Sequence, residues 1–195
     1  GVLVVPPPWR SLGRGAVGGG RPASGAWPRA AGRRRGPSGG AALEPVGTIR
    51  VGLGPTGLQV VRAGLERGVA RPVAAADVAP GLIGRPLAEI VSNAAAGDFL
   101  VSDSLGEAIA AAERAGGADV LVLATGSKIP AIMGQLLAAV GAKLNVVSTS
   151  EELTYPWLRH PDKATELDRE ARRRGVTVVG TGINPGFLLD LLPLV

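Results

Sequence analysis

The chain has 195 residues, no cysteine and one histidine. Disulfides, thiolate nucleophiles and thiolate metal sites are therefore excluded, and we expect no metal site. The formal net charge of +5 comes from residues 1–46, which hold seven arginines and one acid, whereas the remainder holds 14 basic and 15 acidic residues. The remainder gives no reason to expect a nucleic acid partner, and with 46% apolar residues in the chain it predicts one globular domain.

Residues 1–46 contain 11 glycines and seven prolines, and their apolar residues follow neither a 2.0 nor a 3.6 period. This composition predicts a disordered tail, because too little apolar surface can be buried to offset chain entropy. A transit peptide or a nucleic-acid-binding arm stays open as an alternative. No run approaches the roughly 20 apolar residues of a membrane span, so we expect a cytoplasmic protein without a membrane partner.

From residue 46 onward, short β-like runs alternate with helical ones. The predicted strands are residues 48–54, "PVAAAD" ending at Asp77, "DFLVSD" around Leu100, residues 119–125, "LNVVS" and "VTVVG". The predicted helices begin after Gly54 and then cover about 105–115, 129–140 and 161–174. Such alternation predicts an α/β fold with a Rossmann-type doubly wound parallel sheet over residues 47–183, followed by the start of a connection at 184–195.

The stretch "VGLGPTG" places Gly52, Gly54 and Gly57 at the spacing G-x-G-x-x-G between a predicted strand and a predicted helix. Asp77 follows 20 residues after Gly57, at the end of the next strand. This context predicts a dinucleotide site: Gly52 permits the tight turn, Gly54 lets the backbone approach the pyrophosphate, and Gly57 lets the helix pack on the strand.

The same turn contributes Pro55 and Thr56, and the free amides of the helix favour phosphate binding. Asp77 would accept hydrogen bonds from the ribose hydroxyls and repel a 2′-phosphate. NAD is therefore favoured over NADP, which remains possible.

The fourth predicted strand ends in "LATGSK", where Ala124, Thr125 and Gly126 are expected to line the cofactor. Lys128 is expected to be a solvated residue at a helix start.

The segment "STSEEL" has two interpretations. Ser148 with Glu151, or Thr149 with Glu152, has the spacing of a capping box, and this is the favoured interpretation. Alternatively, a carboxylate of Glu151 or Glu152 meets a cationic amine of the substrate.

Two polar residues precede prolines. His160, before Pro161, is expected to flank or cap a helix. Asn184, before Pro185, can cap a further helix and is a third candidate for substrate contact.

Four segments, "VGLGPTGLQVVRAGLERG", "LATGS", "NVVSTSEELTYPWLRHP" and "GTGINPGFLLDLLPL", together resemble the amino-terminal domain of the 2,4-diaminopentanoate dehydrogenase family, which is similar in fold to dihydrodipicolinate reductase. The resemblance implies an NAD(P)-dependent oxidoreductase with a separate carboxyl-terminal substrate domain beyond this chain. It also implies oxidative deamination of a diamino acid such as 2,4-diaminopentanoate. Catalytic residues cannot be assigned, because in the reductase they lie in the carboxyl-terminal domain.

Several expectations follow for the whole protein. The partner is a small amino-acid substrate, and the full-length protein is expected to be a homo-oligomer. The chain alone is expected to bind cofactor without turnover. A dihydrodipicolinate-reductase-like imine reductase of lysine synthesis and a non-catalytic NAD-sensing module stay open as alternatives.

Overall fold

The computed structural model describes residues 44–182. The predicted tail lies outside these residues up to residue 43, and the predicted connection at 184–195 lies outside them entirely. Among the helices that are described, none is both long enough and apolar enough to cross a membrane.

Five parallel strands form one sheet in the order β2-β1-β3-β4-β5. The strands are β1 (Val46–Val51), β2 (Ala70–Ala76), β3 (Val120–Leu123), β4 (Asn145–Ser148) and β5 (Val178–Gly180). The helices are α1 (Pro55–Glu66), α2 (Leu87–Val91), α3 (Leu105–Arg114), α4 (Ile129–Gly141) and α5 (Pro161–Arg174), with short 3-10 helices at Ala94–Ala96 and Glu151–Thr154. The predicted α/β class and parallel sheet are confirmed.

The sheet is covered on both faces, which explains why its strands read as nearly continuous apolar runs. One core layer packs α3, α4 and α5 against the sheet, with Leu121, Leu136 and Leu167 fully buried in it. The other contains Val61 of α1 and Leu87 of α2. The chain passes from β2 by way of α3 to β3 on the far side of β1, so the strand order reverses between β1 and β3.

The predicted third strand is wrong. Residues 98–103 form only isolated bridges, a parallel one between Ser102 and Ala76 and an antiparallel one between Leu100 and Pro86. The segment divides its hydrogen bonds between β2 and the preceding loop, and it therefore builds no ladder of its own. It still occupies the outer position beside β2, where the third strand of a Rossmann sheet lies.

Helix α5 has the predicted bounds. Pro161 begins it, and Gly175 ends it in the left-handed conformation at φ +69°. An ion pair at i,i+4 joins Asp168 to Arg172 at 2.8 Å, and Glu170 pairs with Arg173 at i,i+3. These ion pairs lie on the solvent-exposed face of α5.

The turn between β1 and α1 requires two glycines for packing. Gly52 has φ +88°, and a Cβ there would lie 2.5 Å from the carbonyl oxygen of Ala124. A Cβ on Gly57 would overlap the carbonyl oxygen of Gly52. The first turn of α1 therefore packs directly against the backbone that follows β1. That backbone in turn packs against the end of β3.

We expect Gly57→Ala to destabilise the fold by about 1–3 kcal/mol, because the added methyl meets backbone that cannot move freely. Gly54→Ala is the matched control, since a Cβ at Gly54 meets nothing within 4 Å. It should change the free energy of unfolding by less than about 0.5 kcal/mol. Chemical denaturation checks both variants, and equal stability of the two would contradict the packing role of Gly57.

Candidate functional site

The carboxyl ends of β1, β2 and β3 open into a cavity of about 420 Å³. Among its lining residues are Gly52, Gly54, Asp77, Ala124 and Thr125. The structure therefore brings together five residues that the sequence assigns to a cofactor, from three separate segments of the chain. The cavity lies at the point where strand order reverses, which is where ligands bind in sheets of this kind.

A larger, open cleft of about 820 Å³ adjoins it. Thr56 of α1, Gly126 and Glu151 line this cleft, and Ala124 and Thr125 line both spaces. The end of β3 is therefore the common wall of the two spaces. Of the remaining predicted cofactor residues, Pro55 begins α1 and Gly57 is a buried residue of its first turn. Neither lines either space.

Gly54 differs from the other two glycines of the turn. A Cβ at this position would meet nothing within 4 Å, and its φ of −63° is open to any residue. No packing within residues 44–182 therefore requires a glycine here. A close approach of a ligand to the backbone would require one, because a side chain would project into the cavity that Gly54 lines.

The start of α1 fits an anionic group. Gly54 precedes the 12-residue helix, and no side chain caps it. The first intrahelical bond joins the Leu58 amide to the Gly54 carbonyl at 2.9 Å. Pro55 has no N–H, so the amides of Thr56 and Gly57 are the ones that have no acceptor within the helix and carry the positive end of its dipole.

Asp77 ties β2 to the glycine turn. Its carboxylate accepts hydrogen bonds from the Leu53 amide, between Gly52 and Gly54, and from the Ala79 amide at 2.8 Å. Each carboxylate oxygen can accept a second hydrogen bond, and Asp77 lines the cavity. The geometry therefore leaves acceptor capacity for a ligand hydroxyl, and the ribose contact stays a prediction.

Thr125 is held by α4. Its hydroxyl donates to Oε1 of Gln135, and both residues line the smaller cavity. The Ala124 amide donates to the Val51 carbonyl at 2.8 Å. Backbone and a fixed hydroxyl therefore form this wall, and its contact with a cofactor stays a prediction.

The predicted capping box is wrong. Ser148 Oγ accepts from the Ser150 amide at 3.1 Å, and no side chain caps the 3-10 helix Glu151–Thr154. Glu152 caps a different helix, because its Oε2 accepts from the amide of Ile129, the first residue of α4, at 3.1 Å. Single-sequence spacing cannot reveal this cap, since its two partners are 23 residues apart.

The same Glu152 oxygen lies 3.0 Å from Nε2 of His160, and Arg159 Nη1 lies 3.8 Å from Oε1. His160 flanks α5 as predicted, but its ring does not cap that helix. The hydrogen bond from the Ile129 amide, followed by the hydrogen bond and charge of His160 and the charge of Arg159, lowers the pKa of Glu152. The carboxylate of Glu152 therefore links the start of α4 to the start of α5.

The other predicted polar residues are placed as follows. Glu151 is exposed and lines the larger cleft. Lys128 is exposed immediately before α4, as predicted. Asn184 lies outside the described residues. Of the three residues predicted to contact substrate, Glu151 is the one that the structure places on the cleft.

We expect the Glu152 contacts to stabilise the fold above the usual glutamate pKa of 4.5. The folded-state pKa is lowered, so this stability is present above 4.5 and is lost as pH falls through the folded value. Glu152→Gln cannot carry the charge. The difference in thermal midpoint between the original chain and Glu152→Gln should therefore shrink from pH 6 to pH 3. A difference that stays constant over this range would contradict a charged cap.

No family model matches the chain. It is 45% identical over 75 residues to 2,4-diaminopentanoate dehydrogenase of Acetoanaerobium sticklandii, a match that covers 38% of this chain and 21% of the dehydrogenase. This chain thus matches about a fifth of that curated relative. The sequence resemblance predicted from the motifs is confirmed.

The fold is similar to an amine dehydrogenase from Mycobacterium smegmatis, with a TM-score of 0.68 and 28% identity over 76% of this chain and 43% of the other. It is also similar to the WlbA dehydrogenase from Bordetella pertussis, solved with NADH and UDP-GlcNAcA, with a TM-score of 0.50 and 25% identity over 70% of this chain and 35% of the other. The chain therefore has the Rossmann fold of a dehydrogenase nucleotide-binding domain and resembles 2,4-diaminopentanoate dehydrogenase in sequence.

Proposed function

We propose that this chain is the NAD-binding part of an oxidoreductase that acts on an amino-acid-like amine. The observation that carries the proposal is Gly54. It is a glycine with no internal packing reason, at the start of α1, in a cavity that also holds Asp77. A pyrophosphate against the backbone of this turn accounts for the glycine, and an adenosine ribose accounts for an acid at the end of β2.

In this proposal the two halves of the cofactor occupy the two spaces, the smaller cavity and the larger cleft. Gly54 and the first turn of α1 would hold the pyrophosphate, and Asp77 the ribose. Ala124, Thr125 and Gly126, at the boundary with the larger cleft, would orient the nicotinamide half. When bound, the nicotinamide supplies the hydride chemistry, and the protein supplies position and electrostatics. The WlbA structure, which contains NADH, supports this choice of cofactor.

The substrate class is proposed from the cleft and the relatives. Glu151 places a carboxylate in the larger cleft, beyond Thr125 and Gly126. A carboxylate attracts a cationic amine and can fix its orientation through charge-assisted hydrogen bonds. The names of two similar proteins, 2,4-diaminopentanoate dehydrogenase and amine dehydrogenase, support an amine-bearing substrate. We propose oxidative deamination of a diamino acid such as 2,4-diaminopentanoate. Within residues 44–182, no feature favours the imine reductase or the NAD-sensing module.

Cofactor choice is tested by calorimetry on the chain. We expect tighter binding of NAD than of NADP. Asp77→Ala should weaken NAD binding by about 1–3 kcal/mol, because hydrogen bonds to a charged acceptor are lost. Asp77→Asn keeps one oxygen that can accept from the Leu53 amide. It therefore shows whether a loss of NAD affinity comes from the missing charge or from a disturbed glycine turn. Glu66→Gln, an exposed acid on α1, is the matched control. Equal or tighter binding of NADP by the original chain would contradict the assignment.

The substrate proposal is tested on the whole gene product that contains this chain, by NADH formation with 2,4-diaminopentanoate. We expect Glu151→Gln to lower kcat/KM at least about tenfold, which corresponds to loss of a charge-assisted contact. NAD affinity should be unchanged. Asp162→Asn, an exposed acid at the start of α5, is the control. Turnover that is insensitive to Glu151→Gln would remove Glu151 from the site, and absence of turnover with any diamino acid would contradict the substrate class.

A further inference from the structure

The smaller cavity contains a second carboxylate, Asp103, at the end of the segment that does not form the predicted third strand. The main chain of this segment is locked to β2, because the Asp77 amide donates to the Ser102 carbonyl at 3.1 Å and the Ser102 amide donates to the Ala75 carbonyl at 2.9 Å. Ala76 and Ser102 form a parallel bridge. One residue further on, the same register sets Asp77 beside Asp103, at about the 4.8 Å spacing of neighbouring strands.

The two acids have different environments. Both carboxylate oxygens of Asp77 accept hydrogen bonds from backbone amides. Asp103 is exposed, and no hydrogen bond or ion pair with the rest of residues 44–182 engages its side chain. Both acids line the same cavity, and no lysine or arginine is among its lining residues. Two neighbouring negative charges without a facing cation create a negative potential at this end of the cavity.

We propose that Asp103 is a specificity-determining residue that excludes nucleotides with a 2′-phosphate from this cavity. The inference rests on the proposed function, in which the adenosine ribose lies at Asp77. A 2′-phosphate would bring a charge of nearly −2 toward both acids, with no cation to receive it. Asp77 binds the ribose and holds the turn, whereas Asp103 acts by its charge without contacting NAD.

The test measures NADH and NADPH affinity by fluorescence titration of the chain. Asp103→Asn should strengthen NADPH binding about 3- to 10-fold, which is the size of the repulsion between one carboxylate and a phosphate dianion roughly 8 Å apart in a high-dielectric setting. NADH affinity should change less, because NADH lacks the 2′-phosphate, and it should not fall. Asp103→Glu keeps the charge and should retain the original discrimination. Glu66→Gln removes a distant acid and should leave both affinities unchanged.

The dependence of nucleotide affinity on ionic strength gives a second measurement. A purely structural role of Asp103 would leave this dependence unchanged. The Debye length falls from about 10 Å at 0.1 M salt to about 3 Å at 1 M. Discrimination against NADPH should therefore weaken with salt, and more so in the original chain than in Asp103→Asn. The thermal midpoint of each variant confirms that it folds.

Two outcomes would overturn the proposal while leaving the NAD site intact. One is unchanged NADPH affinity in Asp103→Asn. The other is a loss of NADH affinity in that variant, which would make Asp103 a direct ribose ligand. If the folded original chain binds neither nucleotide, the proposed function fails and this inference fails with it.

Discussion

The contact of the β1–α1 turn with the end of β3 is the constraint on which the site depends. The start of α1 can lie directly on the carbonyl of Gly52 because Gly57 has no side chain, and Gly52 can lie against the Ala124 carbonyl for the same reason. These contacts bring the first turn of α1 beside the wall formed by Ala124 and Thr125. The position of the two cavities follows from this packing. Gly54, the remaining glycine of the turn, is free of such contacts, and we propose that it faces the cofactor.

Four acids lie near the carboxyl edge of the sheet, and two of them accept structural hydrogen bonds whereas the other two are exposed. Asp77 and Glu152 accept hydrogen bonds from amides 24 and 23 residues earlier in the chain, and they fix the glycine turn and the start of α4. Asp103 and Glu151 are exposed, and each lines one of the two spaces. Each structural acid thus lies close in the fold to an acid that faces a cavity. Asp77 and Asp103 border the proposed ribose position, and Glu151 lines the proposed substrate cleft.

The sequence predicts elements whose signals are local. The bounds of α5 follow from Pro161 and Gly175, and the positions of the strands that form the sheet follow from apolar runs. The glycine spacing predicts the turn because Gly52 has a positive φ and Gly57 packs on the carbonyl of Gly52, five residues earlier. The position of Ala124 and Thr125 in the same cavity as the glycine turn could be predicted because parallel strands end at one edge of a sheet.

Long-range pairing accounts for the errors. The segment at 98–103 has the composition of a strand, but hydrogen bonds to two different neighbours decide its structure. Glu152 has the spacing of a local cap yet serves Ile129. Arg50 is buried, which the sequence pattern does not predict. It lies within β1, donates from Nε to Thr48 Oγ1 at 3.1 Å, and has its pKa lowered to about 10 by burial. No periodicity in the sequence indicates which side-chain partners such groups will find.

The central claim is that the β1–α1 turn binds the nucleotide. NMR chemical shifts of the backbone amides during titration with NADH test this claim most directly. The largest changes should fall on Gly54, Thr56 and Val78, which follows Asp77 and lines the smaller cavity, with further changes at Thr125. A small cavity of about 180 Å³ at the amino ends of β3 and β4, lined in part by Ile109 and Lys143, serves as the internal reference and should not respond. Saturable shifts confined to that cavity, with the turn unchanged, would contradict the assignment.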